Sequence, residues 1–385
     1  MRNILTRENH LMKVLYFSRD YTPHDHRFLS ALAQTDHEVG YLRLERRGPQ
    51  LEDRPLPHGI QAVPWAGGMR PVSFGDGLRL LLDLRRVLRD FKPDLIQSGP
   101  LQRSALLVAL AGFRPLVSMS WGYDLLHDAY RGPLWRWATR FTLRRSAAMV
   151  GDCQTIRQRA ISFGMPGEQI VTFPWGVDIR HYSPNGVVKD RSALRERLGW
   201  GGDAFVLLST RGWEPIYGVD VIARAFVQVA RQRPELRLLM LGDGSQARLL
   251  RQIFIQGGVL PQVHFPGQLR QGDLPRYYRA ADLYLSASHS DGTSISLLEA
   301  MACGKPALVS DIPGNREWVQ PGEHGWWFED GDVDALVQAL SCALDERRRL
   351  PAMGQAARRL AERRADWQRN FPRLLEAYQL ALRFA

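Results

Sequence analysis

Short apolar runs alternate with longer amphipathic ones along most of the chain. Lys13 to Ser18 reads as a buried strand and Phe28 to Gln34 as the helix after it. Further strands are expected at Glu38 to Leu44, Ile60 to Trp65, Leu95 to Ser98, Leu116 to Ser120, Ala148 to Gly151 and Val171 to Pro174. Helical spacing marks 78–91, 102–111, 134–145 and 155–163 between them. Strands that are apolar on both faces and alternate with helices imply a parallel sheet covered on both sides.

The pattern breaks after Trp175-Gly176-Val177-Asp178. Residues 183–203 are polar and Gly-rich, and the alternation then restarts with strands at Phe205 to Thr210 and Leu236 to Leu241. Val263 to Phe265, Leu283 to Ser286 and Ala307 to Ser310 extend this second set, with a helix at 219–231. The tail from Asp366 to Phe384 carries Trp367, Phe371, Leu374, Leu375, Tyr378 and Leu382 at helical spacing, a stripe expected to pack as core. Two Rossmann-like domains follow, 1–180 and 181–365, with a helix at 366–385 packing back toward the first. In such sheets ligands bind beyond the carboxyl ends of the strands.

Composition narrows the choice. A chain of 385 residues is long enough for two cores. No apolar run approaches the roughly 18 residues that a membrane span needs. The first ten residues lack the apolar core of a signal peptide, so a cytoplasmic protein is expected, with the inner membrane face also open to it. Cys153, Cys303 and Cys342 show neither a disulfide framework nor metal-ligand spacing, and read as small buried residues. The net charge of +11 is uneven: residues 1–183 hold 25 Lys and Arg against 17 Asp and Glu. Most of those arginines lie on amphipathic helices and read as solvated faces. No zinc-finger spacing or aromatic–basic interleaving points to nucleic acid. Trp135, Trp137 and Phe141, interleaved with Arg136, Arg140, Arg144 and Arg145, would permit peripheral membrane contact, although inward packing of these aromatics is the favoured reading.

Chemistry concentrates in residues 290–304. A strand ends near Ser288, a loop carries Asp291-Gly292-Thr293, and a helix runs from Ser294 to Ala302 with Gly304 as its stop. Amides of its first turn, near Thr293, Ser294 and Ile295, would favour a phosphate. Glu299 lies roughly 7 Å further along the axis. One acid at the helix mouth and another inside it could hold two hydroxyl-rich groups joined by a diphosphate. The plain alternative is a loop acid and a solvated Glu, but Glu299 sits in a largely apolar helix.

These residues resemble the retaining glycosyltransferases of family 4. The blocks Gly176-Val177-Asp178 with Tyr182-Ser183-Pro184, Thr210 to Asp220, Val263 to Gly267, Leu274 to Ala281, Leu297 to Pro306, Asp311 to Glu317 and Gly325 to Phe328 occur in the family's order. The resemblance implies the GT-B fold, two Rossmann-like domains facing each other across a deep cleft. It implies transfer of a sugar from a UDP- or GDP-sugar to a hydroxyl of a glycan or lipid-linked acceptor. No cofactor or metal is implied beyond the nucleotide sugar itself. The family's acid-x7-Glu pair falls on Asp291 and Glu299, the former beside the sugar and diphosphate, the latter on the ribose. Arg211 matches the family's phosphate-binding Arg, but Tyr217 stands where a Lys is usual, and Lys305 or an Arg of the first domain could compensate. Gly292, Thr293, Ser294, Ile295, Gly267, Leu269 and Gly242 complete the expected donor side.

The first domain matches less closely. The loop after its first strand lacks the family's Gly-rich turn, leaving Arg19 and Arg27 as acceptor-side candidates. His24 and His26 read as loop histidines rather than metal ligands. Trp121-Gly122-Tyr123-Asp124 replaces a His-Gly-x-Asp element, so Trp121 would pack or orient, and Asp124 is either an acceptor-side group or a helix cap. A second reading is a nucleotide-sugar-binding partner subunit with little catalytic activity. An oxidoreductase is disfavoured, because no strand leads into Gly-x-Gly-x-x-Gly.

Overall fold

The computed structural model describes residues 11–46 and 52–385. The reading of the first ten residues as lacking a signal peptide lies outside the described residues. The chain divides into two units, the first ending at Phe173 and joined by Phe371–Ala385, the second spanning Pro174–Asn370.

The first unit is a seven-stranded parallel sheet. Its strands are β1 (Lys13–Ser18), β2 (Glu38–Arg43), β3 (Ile60–Ala62), β4 (Leu95–Gly99), β5 (Leu116–Met119), β6 (Ala148–Gly151) and β7 (Ile170–Thr172), in the order β3-β2-β1-β4-β5-β6-β7. The helices are α1 (Pro23–Leu32), α2 (Gly77–Phe91), α3 (Ser104–Ala111), α4 (Tyr123–Leu126), α5 (Pro133–Arg145) and α6 (Gln154–Ser162). Leu15, Phe17, Ile96 and Leu116 meet Leu80, Leu84 and Val87 of α2 in one apolar cluster. Each such buried side chain contributes about 2 kcal/mol through burial.

Three readings change here. The helix expected from Phe28 begins at Pro23, because Thr22 and Asp25 form a capping box and Pro23 opens the first turn. His24 and His26 are therefore helical, and among the described residues no three His, Cys, Asp or Glu side chains gather as a metal site. On α5 the inner face is Ala138, Thr139, Thr142 and Leu143, which leaves Trp137 48% exposed instead of packed inward.

The second unit has β8 (Phe205–Ser209), β9 (Leu236–Leu241), β10 (Val263–Gly267), β11 (Leu283–Ser286), β12 (Ala307–Ser310) and β13 (Gly325–Phe328), in the order β10-β9-β8-β11-β12-β13. Its helices are α7 (Val187–Arg197), α8 (Val219–Ala230), α9 (Ala247–Gly257), α10 (Leu274–Ala280), α11 (Ile295–Ala302), α12 (Pro313–Arg316), α13 (Val333–Asp345), α14 (Leu350–Arg364) and α15 (Trp367–Asn370). Alternation along β8 sends Phe205 and Leu207 into one apolar cluster and Val206 and Leu208 into the other, so both sheet faces are buried. The order of strands reverses between β8 and β11, which are paired Leu283 to Leu207 and Tyr284 to Leu208. The switch point of this sheet thus lies between the loops that follow β8 and β11.

The expected break at 183–203 contains α7, whose buried Arg195 pairs with Asp282 at 2.7 Å. The tail is two helices: α15, then α16 (Pro372–Arg383) opening on its proline. In the first unit α16 packs on β5, β6 and β7, and the Tyr378 hydroxyl donates to Gln97 on β4. Leu374, Ala377, Tyr378 and Ala381 form its buried face, whereas Leu382, expected in the core, is exposed.

Candidate functional site

The loops at the switch point of the second unit bring Arg211 and Asp291 together. Arg211 follows β8, and Asp291 lies in the loop between β11 and α11. The Arg211 Nη2 stands 2.7 Å from Asp291 Oδ2. Its Nη1 donates to Ser294 Oγ at 3.1 Å and to Ser296 Oγ at 3.4 Å. The guanidinium carbon sits 4.1 Å from the centre of the Tyr217 ring. Burial disfavours this charge, but Asp291 and the phenol oxygens of Tyr217 and Tyr284 hold the guanidinium above its ordinary range. The Asp291 carboxyl is raised, since burial outweighs Arg211 beside it. The contact is an ion pair by distance and not an aligned hydrogen bond, and both Asp291 Oδ2 and Arg211 Nε lack hydrogen-bond partners.

Two glycines let these loops approach. Gly218 has φ +57°, and a Cβ there would lie 2.1 Å from the Ala287 carbonyl oxygen. It ends the short turn Pro215–Tyr217 that puts the phenol under Arg211. Gly242 has φ +110°, and a Cβ would lie 2.9 Å from the Arg211 carbonyl oxygen. Its amide donates to Gly267 at 3.0 Å, and Leu269 packs beyond on the core. These three expected donor-side residues shape the rim at β9 and β10.

Helix α11 is buried along most of its length. Ser294 occupies its N-cap position, but its hydroxyl makes no cap bond to the first-turn amides. It serves Arg211 instead. The opening of α11, after Gly292 and Thr293 and beginning at Ile295, therefore offers uncapped amides next to a guanidinium with an unused Nε. Such an arrangement suits an oxyanion.

One turn further along α11, Glu299 is only 4% exposed, and its Oε2 accepts from Tyr278 at 2.7 Å. The Tyr278 hydroxyl also lies 3.1 Å from Thr210 Oγ1. Burial, with Glu299 next to it, pushes the Tyr278 phenol well above its ordinary range, so it stays a donor. Tyr182 meets its ring edge-on at 5.9 Å. The sequence reading missed Tyr278, Tyr284 and Ser296. In an apolar helix or strand a Tyr reads as core until its hydroxyl partner is known.

Lys305 does not replace the missing cation. It precedes β12 and so lies at the edge of the parallel sheet opposite Arg211. Its ammonium donates to the carbonyls of Arg279 at 2.9 Å and Ala281 at 2.8 Å, and burial lowers it to about 8.

In the first unit Arg19 follows β1 and pairs with the buried Glu45 at 2.7 Å. It also bonds Tyr123. Trp121 is half-buried, with its ring 5.6 Å from His24 and 6.2 Å from Phe28. Arg27 is half-buried on α1. Asp124 departs from both of its expected roles. It is fully buried, accepts from Ser120 Oγ at 2.5 Å, Leu101 N at 3.1 Å and Leu125 N at 3.0 Å, and burial raises it to about 6. The cap of α4 is Gly122. Asp124 thus ties the start of α3 to α4 and has no surface to offer a ligand.

Solved structures match the whole chain. HepE from Anabaena, solved in complex with UDP-glucose, aligns with a TM-score of 0.78 at 21% identity, covering 96% of this chain and 99% of that one. Sucrose-phosphate synthase from Thermosynechococcus elongatus aligns at 0.77 and 16% identity, covering 97% and 100%. The two parallel-sheet units are those of the GT-B fold. Residues 24–181 match the family described as Glycosyltransferase Family 4, and residues 190–360 the Glycosyl transferases group 1. The chain belongs to this glycosyltransferase family. A GDP-mannose-dependent monoacylated alpha-(1-6)-phosphatidylinositol monomannoside mannosyltransferase of Corynebacterium glutamicum is 30% identical over 63% of this chain. The Mycolicibacterium smegmatis GDP-mannose-dependent alpha-(1-6)-phosphatidylinositol monomannoside mannosyltransferase is 28% identical over 72% of this chain and 74% of its own length. A D-inositol 3-phosphate glycosyltransferase of Thermobispora bispora is 31% identical over 56% of this chain. The chain spans 60% of the corynebacterial relative and 52% of the Thermobispora one.

Proposed function

We propose that the chain transfers a hexosyl group from a nucleoside-diphosphate sugar to a hydroxyl of a lipid-linked or glycan acceptor, with retention at the anomeric carbon. The observation that carries this reading is the Arg211 guanidinium set beside the uncapped first turn of α11. The donor's diphosphate takes the α11 amides and Arg211, so charge growing on the leaving phosphate meets donors already in place. Glu299, held by Tyr278, accepts hydrogen bonds from the ribose hydroxyls. Asp291 faces the sugar, and the departing phosphate oxygen takes the acceptor's proton, so no side-chain base is required. GDP-mannose is the first donor to try, because two relatives bear it in their names. The transfer is proposed to be metal-independent, and the expected result is a rate unchanged by chelation.

Tyr217, in place of the usual Lys, favours one alternative, a binding partner with little turnover. Thermal melting with GDP, UDP and their sugars, followed by acceptor-dependent nucleotide release and NMR of the product's anomeric proton, separates the two. Stabilisation with release and a retained anomer supports transfer. Binding without release would support the partner, and an inverted product would overturn the retaining mechanism.

A further inference from the structure

On the first unit, α5 carries four arginines and no acid. Its rotation is fixed from inside: Thr142 Oγ1 donates to the Leu101 carbonyl at 3.0 Å, and Gln102 Nε2 donates to Thr139 Oγ1 at 2.8 Å. Arg136, Trp137, Arg140 and Arg144 consequently share the outer face. They border a groove of about 560 Å³ that continues to Tyr130 and Phe141.

The outer face is polar and apolar at once. Leu134 is 54% exposed and Trp137 48%, with the indole stacked on Phe141 at 5.3 Å and 20°. Arg136, Arg140 and Arg144 have no carboxylate partner among the described residues. On α2, which also carries four arginines, two of them, Arg79 and Arg86, pair with Asp76 and Asp83. Trp135, the other indole of α5, is covered by the guanidiniums of Arg131 at 4.6 Å and Arg103 at 5.0 Å. Two aromatics of one helix are thus treated differently, one screened and one presented with free cations around it.

We propose that this face of α5 docks on an anionic lipid bilayer, with Trp137 and Leu134 entering the interface and Arg136, Arg140 and Arg144 on the headgroup phosphates. Charge complementarity selects the occupant. The three cations lie in a row, about 6 Å apart along the helix axis, and do not converge on one point. A single phosphate would need convergent donors, whereas a plane of phosphates fits the row. Apolar and aromatic side chains between cations are the signature of a helix lying in a membrane interface. Among the described residues no helix is long and apolar enough to cross a membrane, so the contact proposed is peripheral. The inference does not depend on the assignment of the donor site.

The test is co-sedimentation of the full chain with vesicles of phosphatidylcholine alone and of phosphatidylcholine with phosphatidylglycerol. Binding is expected to the anionic vesicles only and to weaken as salt rises. The triple variant Arg136→Gln, Arg140→Gln, Arg144→Gln is expected to bind about 100-fold more weakly, and Trp137→Ala to lose affinity that salt does not abolish. All four positions are surface-exposed, so an unchanged melting temperature certifies the fold. Equal binding to neutral vesicles, or wild-type binding by the triple variant, would overturn the proposal. Binding to a soluble polyanion such as heparin without binding to vesicles would overturn it in favour of a polymer ligand.

Discussion

Arg211 is satisfied on one side by a carboxylate that the proposed donor must displace. Asp291 holds Nη2 at 2.7 Å, while the Tyr217 ring centre lies 4.1 Å from the guanidinium carbon. A diphosphate arriving at Arg211 competes with Asp291 for the same charge. Asp291→Asn is therefore expected to tighten the free nucleoside diphosphate by about 10-fold, in line with the ~1.5–3 kcal/mol typical of charged hydrogen bonds, and to slow sugar transfer. Isothermal titration and a rate assay read the two effects separately, and weaker diphosphate binding would contradict the exchange. Tyr217→Lys places a second cation close to Arg211, whose guanidinium carbon lies 4.1 Å from the present ring centre, and like charges at about 4 Å repel by a few kcal/mol near a protein surface. Loss of donor affinity is expected, and a gain would show that the loop simply lacked charge. Tyr278→Phe should weaken the donor by about 10-fold, through loss of one hydrogen bond to Glu299, with kcat changing less than KM. Two buried acids add a pH dependence. Asp25 and Asp124 are both raised from 3.8 to about 6 by burial. The native state holds their protons longer than the unfolded chain does, so the stability they lend is full below pH 3.8 and is lost as pH rises through about 6. Urea unfolding of the first unit is expected to show this fall, and a rise over that window would contradict it.

Among elements, the strands were the most legible. A parallel strand covered on both faces must be a short apolar run, and β1, β8 and β9 read that way without any context. Helix starts were harder. The capping box at Thr22 and Asp25 lay in plain sight, yet a loop reading of the histidines hid it. Helix α7 has almost no apolar face, and its buried Arg195 serves Asp282, a partner 87 residues away. No periodicity reports such a pairing. The 211–218 loop is a tight turn because Gly218 passes close under Ala287, and this too is a tertiary fact. Gly218→Ala is expected to cost about 2 kcal/mol or more, from the positive φ and the blocked approach combined. Thermal melting checks it, and an unchanged melting temperature would mean that the β11 loop can shift.

At the scale of the molecule, the fold was readable from the strand–helix order, and the family from the order of its sequence blocks. Asp291, Glu299 and Arg211 sit in blocks whose order and spacing carry over from the family. The first unit keeps the strand–helix order but changes the side chains, with Trp121 where the family pattern has His, and with Asp124 in the pattern's Asp position but fully buried. The role of α5 was likewise undecidable from sequence, since only the packing of Thr139 and Thr142 shows which way Trp137 faces. Helix α16 closes the first unit through Tyr378 and Gln97, and the sequence showed the stripe but not its partner. The claim that matters most is that Arg211 and the opening of α11 bind a nucleoside-diphosphate sugar. Isothermal titration of GDP-mannose, and then of UDP-glucose, into the wild type and Arg211→Ala tests it most directly. The account predicts binding of at least one donor and a loss of about 100-fold in the variant, as removal of a charged contact to the diphosphate would give. The variant is also expected to melt lower, because Asp291 loses its buried partner, so its folding is checked at the assay temperature. Donor binding that is indifferent to Arg211→Ala, or absent for every nucleotide sugar, would contradict it.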